Sequence, residues 1–184
     1  RGYEFVGLDR LGARKKAISI SFDDGYRDLL DHGLPILEEF KIPATFFLVG
    51  AAAGRTDTWY RAEEKILDWA EAGELVRRGY SIGSHSLTHA RLTDLAPADL
   101  KREVSESRRI LEDRLGVPVT RFAYPQGHFN EAVIEAVREA GYEDAWATQS
   151  GDGSRYQRRR FRISASTGLV RFAAKIIKIR MGYY

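Results

Sequence analysis

Short apolar runs of strand length alternate with longer helical patterns along this chain. The strand-like runs are Ala17–Phe22, Ala44–Val49, Tyr80–Gly83, Arg121–Tyr124, Asp144–Thr148 and Phe161–Ser164. The helical patterns are Tyr26–Phe40, Glu63–Arg78, Pro97–Leu115, Asn130–Ala140 and Leu169–Arg180. Alternation of this kind predicts a parallel sheet whose strands are joined by crossover helices.

Proline and glycine indicate where the helical patterns begin, end or break. Pro97 suits the first position of a helix, and Gly116 suits the residue just after its end. Gly33 and Pro35 stand inside the first helical pattern, where proline removes a backbone hydrogen bond. We therefore expect an irregular first helix, and a second helix that is broken near Gly73.

The length of the chain narrows the choice of architecture. Its 184 residues suit a single domain, 1–184, with a proper hydrophobic core. An open doubly wound sheet and a closed barrel both fit the alternation of strands and helices. A full eight-unit barrel typically takes about 250 residues, so a barrel built from this chain would be incomplete.

Composition excludes several classes of protein. The chain is 43% hydrophobic and 30% charged, which is typical of a soluble globular domain. No apolar run approaches the roughly 20 residues of a membrane-spanning helix. The absence of cysteine excludes thiol catalysis, thiolate metal sites and disulfides. The chain begins at Arg1 and shows no signal peptide, so we interpret it as a trimmed or mature fragment.

A mild positive charge is concentrated late in the chain. The net charge is +3 and the sequence pI is about 9.2. The late cations are Arg155, Arg158, Arg159, Arg160, Arg162, Arg171, Lys175, Lys178 and Arg180. Because no nucleic-acid-binding module accompanies them, we interpret them as a solvated basic face and expect no nucleic-acid partner.

The last helical pattern, 169–180, is basic on one side and apolar on the other. Such helices more often cover a core, but they can also lie on a membrane.

Three polar clusters each follow a predicted strand directly. They are Asp23-Asp24-Gly25, then Ser84-His85-Ser86-Leu87-Thr88-His89, then Tyr124-Pro125-Gln126-Gly127. Parallel α/β folds build their sites at the carboxyl ends of the strands. We therefore expect the three clusters to converge although they lie far apart in sequence.

The histidine and aspartate clusters together suggest a metal site. On one helical turn, His85 and His89 would be neighbours and could share one ion, although two ordinary core or surface histidines would have the same spacing. Adjacent aspartates before Gly25 commonly form a turn and a helix cap. In a catalytic site, one carboxylate would complete a three-ligand set that leaves a position for water, and the other would act as general base. Gly25 allows the turn that this arrangement needs.

Four segments in this order resemble the motifs of the polysaccharide deacetylase family, the NodB-homology or carbohydrate esterase family 4 group. They are Ser19–Tyr26 (SISFDDGY), Ile42–Phe47 (IPATFF), Ser84–His89 (SHSLTH) and Phe122–Gly127 (FAYPQG). Together they span most of the chain. The resemblance implies an α/β fold, a distorted and incomplete TIM-like barrel of about seven strand–helix units.

The resemblance also assigns roles to individual residues. It makes Asp23 the general base, and it makes Asp24, His85 and His89 the ligands of one divalent ion, with Zn²⁺ expected and other first-row ions acceptable to the same set. Arg121 matches the arginine that orients and ionises the base.

Four further residues are expected around the substrate. Tyr124 matches the residue whose backbone N–H helps to form the oxyanion hole, and Pro125 holds it in an extended conformation. Trp146 resembles an apolar wall beside the acetyl methyl group, although ordinary core packing explains it equally well. His128 follows on a loop that we expect to border the site, where it would contact sugar or donate a proton.

The implied activity is hydrolysis of N-acetyl or O-acetyl groups on a polysaccharide or oligosaccharide, with release of acetate. The implied location is extracytoplasmic, secreted or at the cell surface, and the sequence makes no prediction of oligomeric state. In one respect the chain departs from the family: the late Leu-x-His motif that supplies the general acid is absent, and no histidine follows His128. Two alternatives are a glycan-binding module with weakened chemistry and a hydrolase of a non-sugar C–N amide bond.

Overall fold

The computed structural model describes residues 2–12, 16–60, 63–148, 150–164 and 166–180, without the side chains of 178–180. The strands are β1 Glu4–Phe5, β2 Ala17–Ile18, β3 Ile20–Phe22, β4 Ala44–Leu48, β5 Ser81–Ser84, β6 Arg121–Ala123, β7 Asp144–Thr148 and β8 Arg158–Arg160. The helices are α1 Leu34–Glu39, α2 Trp69–Arg77, α3 Pro97–Leu115, α4 Glu131–Glu139 and α5 Leu169–Arg180.

The main sheet holds six parallel strands in the order in which they occur in the chain, from β3 to β8. It curls into a half-barrel, which confirms the predicted incomplete barrel. A separate short parallel pair joins β1 to β2. Because all strands of the main sheet run the same way, their carboxyl ends meet at one end of the half-barrel.

The curl brings the two edge strands of the main sheet towards each other. On β8, the guanidinium of Arg160 donates a 3.0 Å hydrogen bond to the hydroxyl of Ser21 on β3. These strands stand at opposite ends of the strand order. The open side of the half-barrel is therefore bridged by a side chain rather than by backbone hydrogen bonds.

The hydrophobic core centres on β4, in which all five residues are buried. Phe46 on β4 stacks on Phe22 of β3 at 5.2 Å and meets the edge of Tyr80 at 5.5 Å. The edge strand β3 is only partly buried, whereas the sequence pattern predicted a buried strand there. An edge strand has one neighbour only, so water reaches its other side.

The first two helices differ from their sequence-based predictions. The first is a π-helical turn at Leu29–Gly33 followed by α1, with Pro35 in the first turn of α1. The second begins at Trp69, because Asp68 and Glu71 form a capping box that fixes its start. Helix α2 runs through Gly73 without the predicted break.

The last strand of the sheet lies earlier than predicted. The sequence pattern favoured Phe161–Ser164, but β8 is Arg158–Arg160 and pairs with β7. Arg158 lies over the ring of Trp146 at 5.3 Å, and Arg160 lies over the ring of Phe47 at 5.0 Å. Arginine can cover apolar rings with its planar head and aliphatic stem. A prediction of strands from apolar runs therefore did not find a strand made of arginines.

The two best-defined helices begin as the sequence predicts. Helix α3 starts at Pro97 and is followed by Gly116 in the left-handed conformation, with a φ of 67°. Asn130 caps α4 by accepting a 3.0 Å hydrogen bond from the backbone N–H of Val133. Within the described residues, none of the helices has the length and apolar character needed to cross a bilayer.

Candidate active site

The Asp23–Asp24 pair stands at the carboxyl end of β3, where the chain turns sharply. Asp24 has a φ of 70° and Gly25 one of 76°, and the N–H of Gly25 donates to the carbonyl of Asp23 at 2.9 Å. A side chain at position 25 would meet Leu48 at 2.8 Å, so glycine also serves close packing here. The turn buries Asp24, whereas the side chain of Asp23 is 28% exposed. One carboxylate is therefore enclosed and its neighbour is open to water.

His85 and His89 lie on a loop after β5, and the expectation that they share a helical turn is wrong. Ser86 and His89 both have positive φ values, 67° and 63°, which a helix does not accommodate. The hydroxyl of Ser86 accepts a 3.0 Å hydrogen bond from the N–H of His89. The i, i+4 spacing still brings the two rings to 5.1 Å, but a compact loop achieves this instead of a helix.

A buried glutamate on α3 holds the histidine loop in place. Glu103 accepts hydrogen bonds from the N–H of Leu87 at 3.0 Å and from the N–H of Thr88 at 2.9 Å. Its other oxygen accepts from the hydroxyl of Thr88 at 2.6 Å. Because one carboxylate satisfies three donors of the loop, the two histidines are held in a fixed relation.

Asp24, His85 and His89 form a buried group that is able to hold a metal ion. One potential ligand atom from each lies within 4.8 Å of the others. Oδ1 of Asp24 is 3.5 Å from Nε2 of His85 and 3.3 Å from Nε2 of His89. This is the ligand set predicted from the sequence, and its three atoms come from two strand ends.

The hydrogen bonds of the two rings fit a metal site. Nδ1 of His85 lies 2.7 Å from the carbonyl of Ala123, so it must donate its proton, and Nε2 keeps its lone pair towards Asp24. Among the residues that the structure describes, both ring nitrogens of His89 and Oδ1 of Asp24 are buried without a hydrogen-bond partner. Buried polar atoms are rarely left unpaired, so a cation is the missing partner that this group fits.

The electrostatics of the group also favour a bound cation. Burial raises the pKa of Asp24 to about 6; His85 opposes the rise, and the neighbouring carboxylates of Asp23 and Asp57 reinforce it. Burial, together with His85, lowers the pKa of His89 to about 3, so this ring is neutral as a ligand must be. A cation among these side chains would relieve the crowding of negative charge around Asp24.

Asp23 is bound by Arg160 and not by Arg121, so the arginine expected from the resemblance is not the one that contacts Asp23. Arg160 donates to the two oxygens of Asp23 at 2.6 and 2.9 Å in a bidentate pair. Arg121 instead faces Asp144, with Nε 3.8 Å from Oδ2. It stands at the amino end of its short strand and is turned towards the next strand, which carries Asp144.

Burial and Arg160 have opposite effects on the pKa of Asp23. Burial raises the pKa, but Arg160, through its positive charge and its hydrogen bonds, lowers it below its usual value, and the nearby His85 contributes to the lowering. Asp23 is therefore ionised at neutral pH. The late basic run, which the sequence analysis interpreted as a solvated face, thus supplies the cation that pairs with Asp23.

The backbone N–H of Tyr124 is not free to bind an oxyanion, contrary to the expectation. It donates to the carbonyl of Trp146 at 3.0 Å as part of the sheet, and the Tyr124 hydroxyl donates to the carbonyl of Tyr156. Pro125 is buried and has no N–H. Gln126 follows with a φ of 59°. The N–H groups of Gly127 and His128 donate to the carbonyls of Tyr124 and Pro125, respectively. This leaves the N–H of Gln126 as the first uncommitted amide after β6 in this described loop.

Trp146 and His128 lie at opposite extremes of burial. Trp146 is 2% exposed, packs in a cluster with Phe47, and donates from its indole N–H to Asp144 at 2.8 Å. Its environment is that of a core residue. His128 is exposed, and its Nε2 lies 2.9 Å from the guanidinium of Arg91, so this nitrogen accepts the hydrogen bond. It lies on the loop that follows β6.

An aromatic wall beside the metal group was missed by the sequence analysis. The ring of Trp59 stacks on His89 at 4.8 Å, and Tyr60 meets the same ring edge-on at 5.6 Å. Asp57, which is buried, accepts a 2.7 Å hydrogen bond from the hydroxyl of Tyr26 in the same region. The Trp59-Tyr60 pair sits in a loop without a regular pattern, so only the concentration of aromatic residues near Asp57 could have indicated it.

We expect Trp59 to position His89 for metal binding, because stacking takes the place of the hydrogen bond that orients His85. Replacing Trp59 with alanine should weaken metal binding by about 10–100-fold, the usual effect of losing a residue that orients a ligand. Titration against a chelator of known affinity measures this directly. Trp59→Phe, which retains a ring, should lose less. Trp69→Ala is the matched control, since Trp69 stacks under Arg114 instead.

Comparison with known proteins agrees with this geometry. The model of the polysaccharide deacetylase family matches residues 11–145. YxkH of Bacillus subtilis is 30% identical over 166 residues, which cover 88% of this chain and 57% of YxkH. A peptidoglycan-N-acetylglucosamine deacetylase of Bacillus cereus is 26% identical over 130 residues, 70% of this chain and 55% of that protein. The chain thus spans little more than half the length of these relatives.

Among solved structures, the fold is shared with the deacetylase PplD of Streptococcus pyogenes, determined in complex with acetate. The TM-score is 0.78 at 20% sequence identity, with 94% of this chain and 79% of PplD covered. This likeness supports the half-barrel architecture independently of the sequence motifs. The matched family model covers most of the chain, including both aspartates and both histidines of the site, and so the chain belongs to the polysaccharide deacetylase family.

Proposed function

We propose that this chain hydrolyses N-acetyl groups on a glycan and releases acetate. The observation that carries the proposal is the ionised Asp23, paired with Arg160 and placed directly beside the buried group of Asp24, His85 and His89. A glycan-binding module would have no use for a carboxylate held ionised next to a metal-binding group. The related deacetylase of Bacillus cereus, named for N-acetylglucosamine in peptidoglycan, supports the amide of an amino sugar as substrate.

The proposed ion is Zn²⁺, held by Asp24, His85 and His89. Two imidazoles and one carboxylate, with room for a further ligand, form a set typical of catalytic zinc. When bound there, the ion supplies Lewis acidity that polarises the acetyl carbonyl and acidifies water. Every other step in the proposal belongs to side chains and amides of the protein.

Asp23 acts as the general base. Its partial exposure lets water reach it, and its pairing with Arg160 keeps it in the ionised form that accepts a proton. Arg160 is a positioning residue, because both of its nitrogens hold the carboxylate in one orientation. As water attacks the acetyl carbon, its proton passes to Asp23.

The oxyanion that forms on the acetyl carbonyl needs a hydrogen-bond donor, and we assign this role to the N–H of Gln126. The Tyr124 amide is committed to the sheet, Pro125 has none, and Gln126 adopts a left-handed conformation that turns the loop. A backbone amide is a suitable donor because it is held rigidly and needs no reorganisation.

The leaving amine must gain a proton before it departs. No histidine follows His128 in the sequence, and Nε2 of His128 is held by Arg91. We therefore assign the return of the proton to Asp23, which has just received one. The negative form of Asp23 is restored in this step, so the pair with Arg160 is ready for the next substrate.

The test is a combined measurement of metal content and acetate release. We expect one equivalent of a divalent ion per chain, acetate release from N-acetylated glycans, and loss of both in His85→Ala and His89→Ala. The panel should contain peptidoglycan, chitin-like oligomers, an exopolysaccharide and small cyclic amides. Turnover of cyclic amides alone would assign the site to a non-sugar substrate, and metal binding without any acetate release would indicate a binding module. Cell fractionation tests the extracytoplasmic location that a cell-wall substrate requires.

A further inference from the structure

Helix α5 leaves several large apolar side chains exposed. Leu169, Val170 and Ile177 are 86%, 85% and 54% exposed, and Phe172 is 43% exposed. Among the residues that the structure describes, none of the three buried clusters includes a residue of this helix. The sequence pattern favoured a terminal helix that covers the core, and this prediction is wrong for the described side chains.

The charge on this part of the chain is of one sign. No acidic residue follows Asp152 in the sequence, whereas α5 itself carries Arg171, Lys175, Lys178 and Arg180. Lys175 donates a hydrogen bond to the carbonyl of Arg162, which connects α5 to the segment that precedes it. A helix that combines exposed apolar side chains with cations only is complementary to a surface that is apolar beneath a negatively charged layer.

We propose that α5 docks the protein on an anionic phospholipid surface, with its apolar residues inserted at the level of the headgroups. Soluble monomers rarely leave a group of large apolar side chains exposed on one element without a partner. A second copy of the chain is disfavoured as that partner, because two copies of α5 would bring like charges together. The cations of α5 favour a position in the interface, where charged side chains stay in water while the apolar side faces the acyl chains.

This proposal does not depend on the hydrolytic activity, since none of the described side chains of α5 belongs to the metal group or to its aromatic wall. It would hold the site close to a membrane, where an enzyme could meet a glycan attached there. The energy has two parts, apolar burial and attraction of cations to anionic lipid, and only the second is weakened by salt.

The experiment is co-sedimentation of the 184-residue chain with lipid vesicles. We expect binding to vesicles of phosphatidylcholine mixed with phosphatidylglycerol, at least tenfold weaker binding to phosphatidylcholine alone, and release at high salt. The double variant Leu169→Asp, Ile177→Asp should lose at least tenfold in binding to the anionic vesicles. Both positions are exposed, so the fold should be retained, which circular dichroism checks.

The matched control is Ile36→Asp, Phe40→Asp, which alters two apolar residues that are similarly exposed, 55% and 63%, in and beside α1. This variant should bind anionic vesicles as the unaltered chain does. Equal binding of all three proteins, or equal binding to both lipid compositions, would overturn the proposal. So would a failure to bind vesicles combined with concentration-dependent dimerisation that the α5 variant abolishes, because a second copy would then be the partner.

Discussion

Replacing Asp23 with asparagine should lower acetate release by about 10²–10⁴-fold, the usual effect of losing a general acid–base group. The amide is nearly the same size as the carboxylate and can still accept from Arg160, but it cannot take a proton from water. The metal group is made of other side chains, so the Asp23→Asn variant should bind its ion with close to the original affinity. Steady-state kinetics and metal titration on the same preparation measure the two quantities.

Asp24→Asn provides the contrast. Its Oδ1 faces both histidines, so we expect a large loss of metal affinity, with the loss of activity following from the loss of metal. Added metal at high concentration should then restore part of the activity of this variant, whereas it should restore none to Asp23→Asn. The opposite pattern, in which Asp23→Asn loses the ion and Asp24→Asn keeps it, would exchange the roles of the two aspartates.

The architecture was predictable because it follows from repeated local signals. The order of elements was predicted from strand-length apolar runs and from the residues at helix ends. Pro97 starts α3 and Gly116 follows its end, as their chemistry indicates. The chain length then limited a barrel to an incomplete one. The main error in the sheet concerned β8, where arginines stand at strand positions and only their stacking on Trp146 and Phe47 shows why they are tolerated.

The metal group was predictable in its membership but not in its local geometry. Asp24, His85 and His89 meet as the sequence pattern suggested, yet the two histidines are arranged by a loop with positive φ values at Ser86 and His89. The loop depends on Glu103, which comes from α3 and carries no signal that links it to a histidine motif. The family resemblance indicated which side chains would meet, while tertiary contacts supply the conformation that brings them together.

The cation that pairs with the base was not predictable because the contact joins the two edges of the sheet. Asp23 and Arg160 are 137 positions apart, and only the curl of the half-barrel brings β3 and β8 close enough for them to meet. A run of three adjacent arginines gives no indication of which one turns inward. Arg160 also bonds Ser21, so one side chain both bridges the open side of the half-barrel and holds the carboxylate of Asp23.

Replacing Arg160 and replacing Arg121 should have different effects on the pH dependence of the reaction. Asp23 must be ionised to act as base, and Arg160 holds its pKa down against the opposing effect of burial. In Arg160→Met the effect of burial remains, so the pKa rises and the base becomes protonated at a higher pH. The acidic limb of the profile of kcat/KM should therefore move towards neutral pH, because an aspartate that loses an adjacent arginine is protonated more readily.

Arg160→Lys should shift the acidic limb less, because it keeps the charge while losing the bidentate geometry. Arg121→Met is the matched control: it removes an arginine from β6, which is separated from β8 by β7. Because Arg121 faces Asp144, this change should leave the acidic limb where it is. A general loss of structure would reduce activity at every pH without moving the limb, so the profile distinguishes positioning from stability. If Arg121→Met moved the acidic limb and Arg160→Met did not, the arginine expected from the family motif would be the working partner of Asp23, and the ion pair between Asp23 and Arg160 would serve only to join β3 to β8.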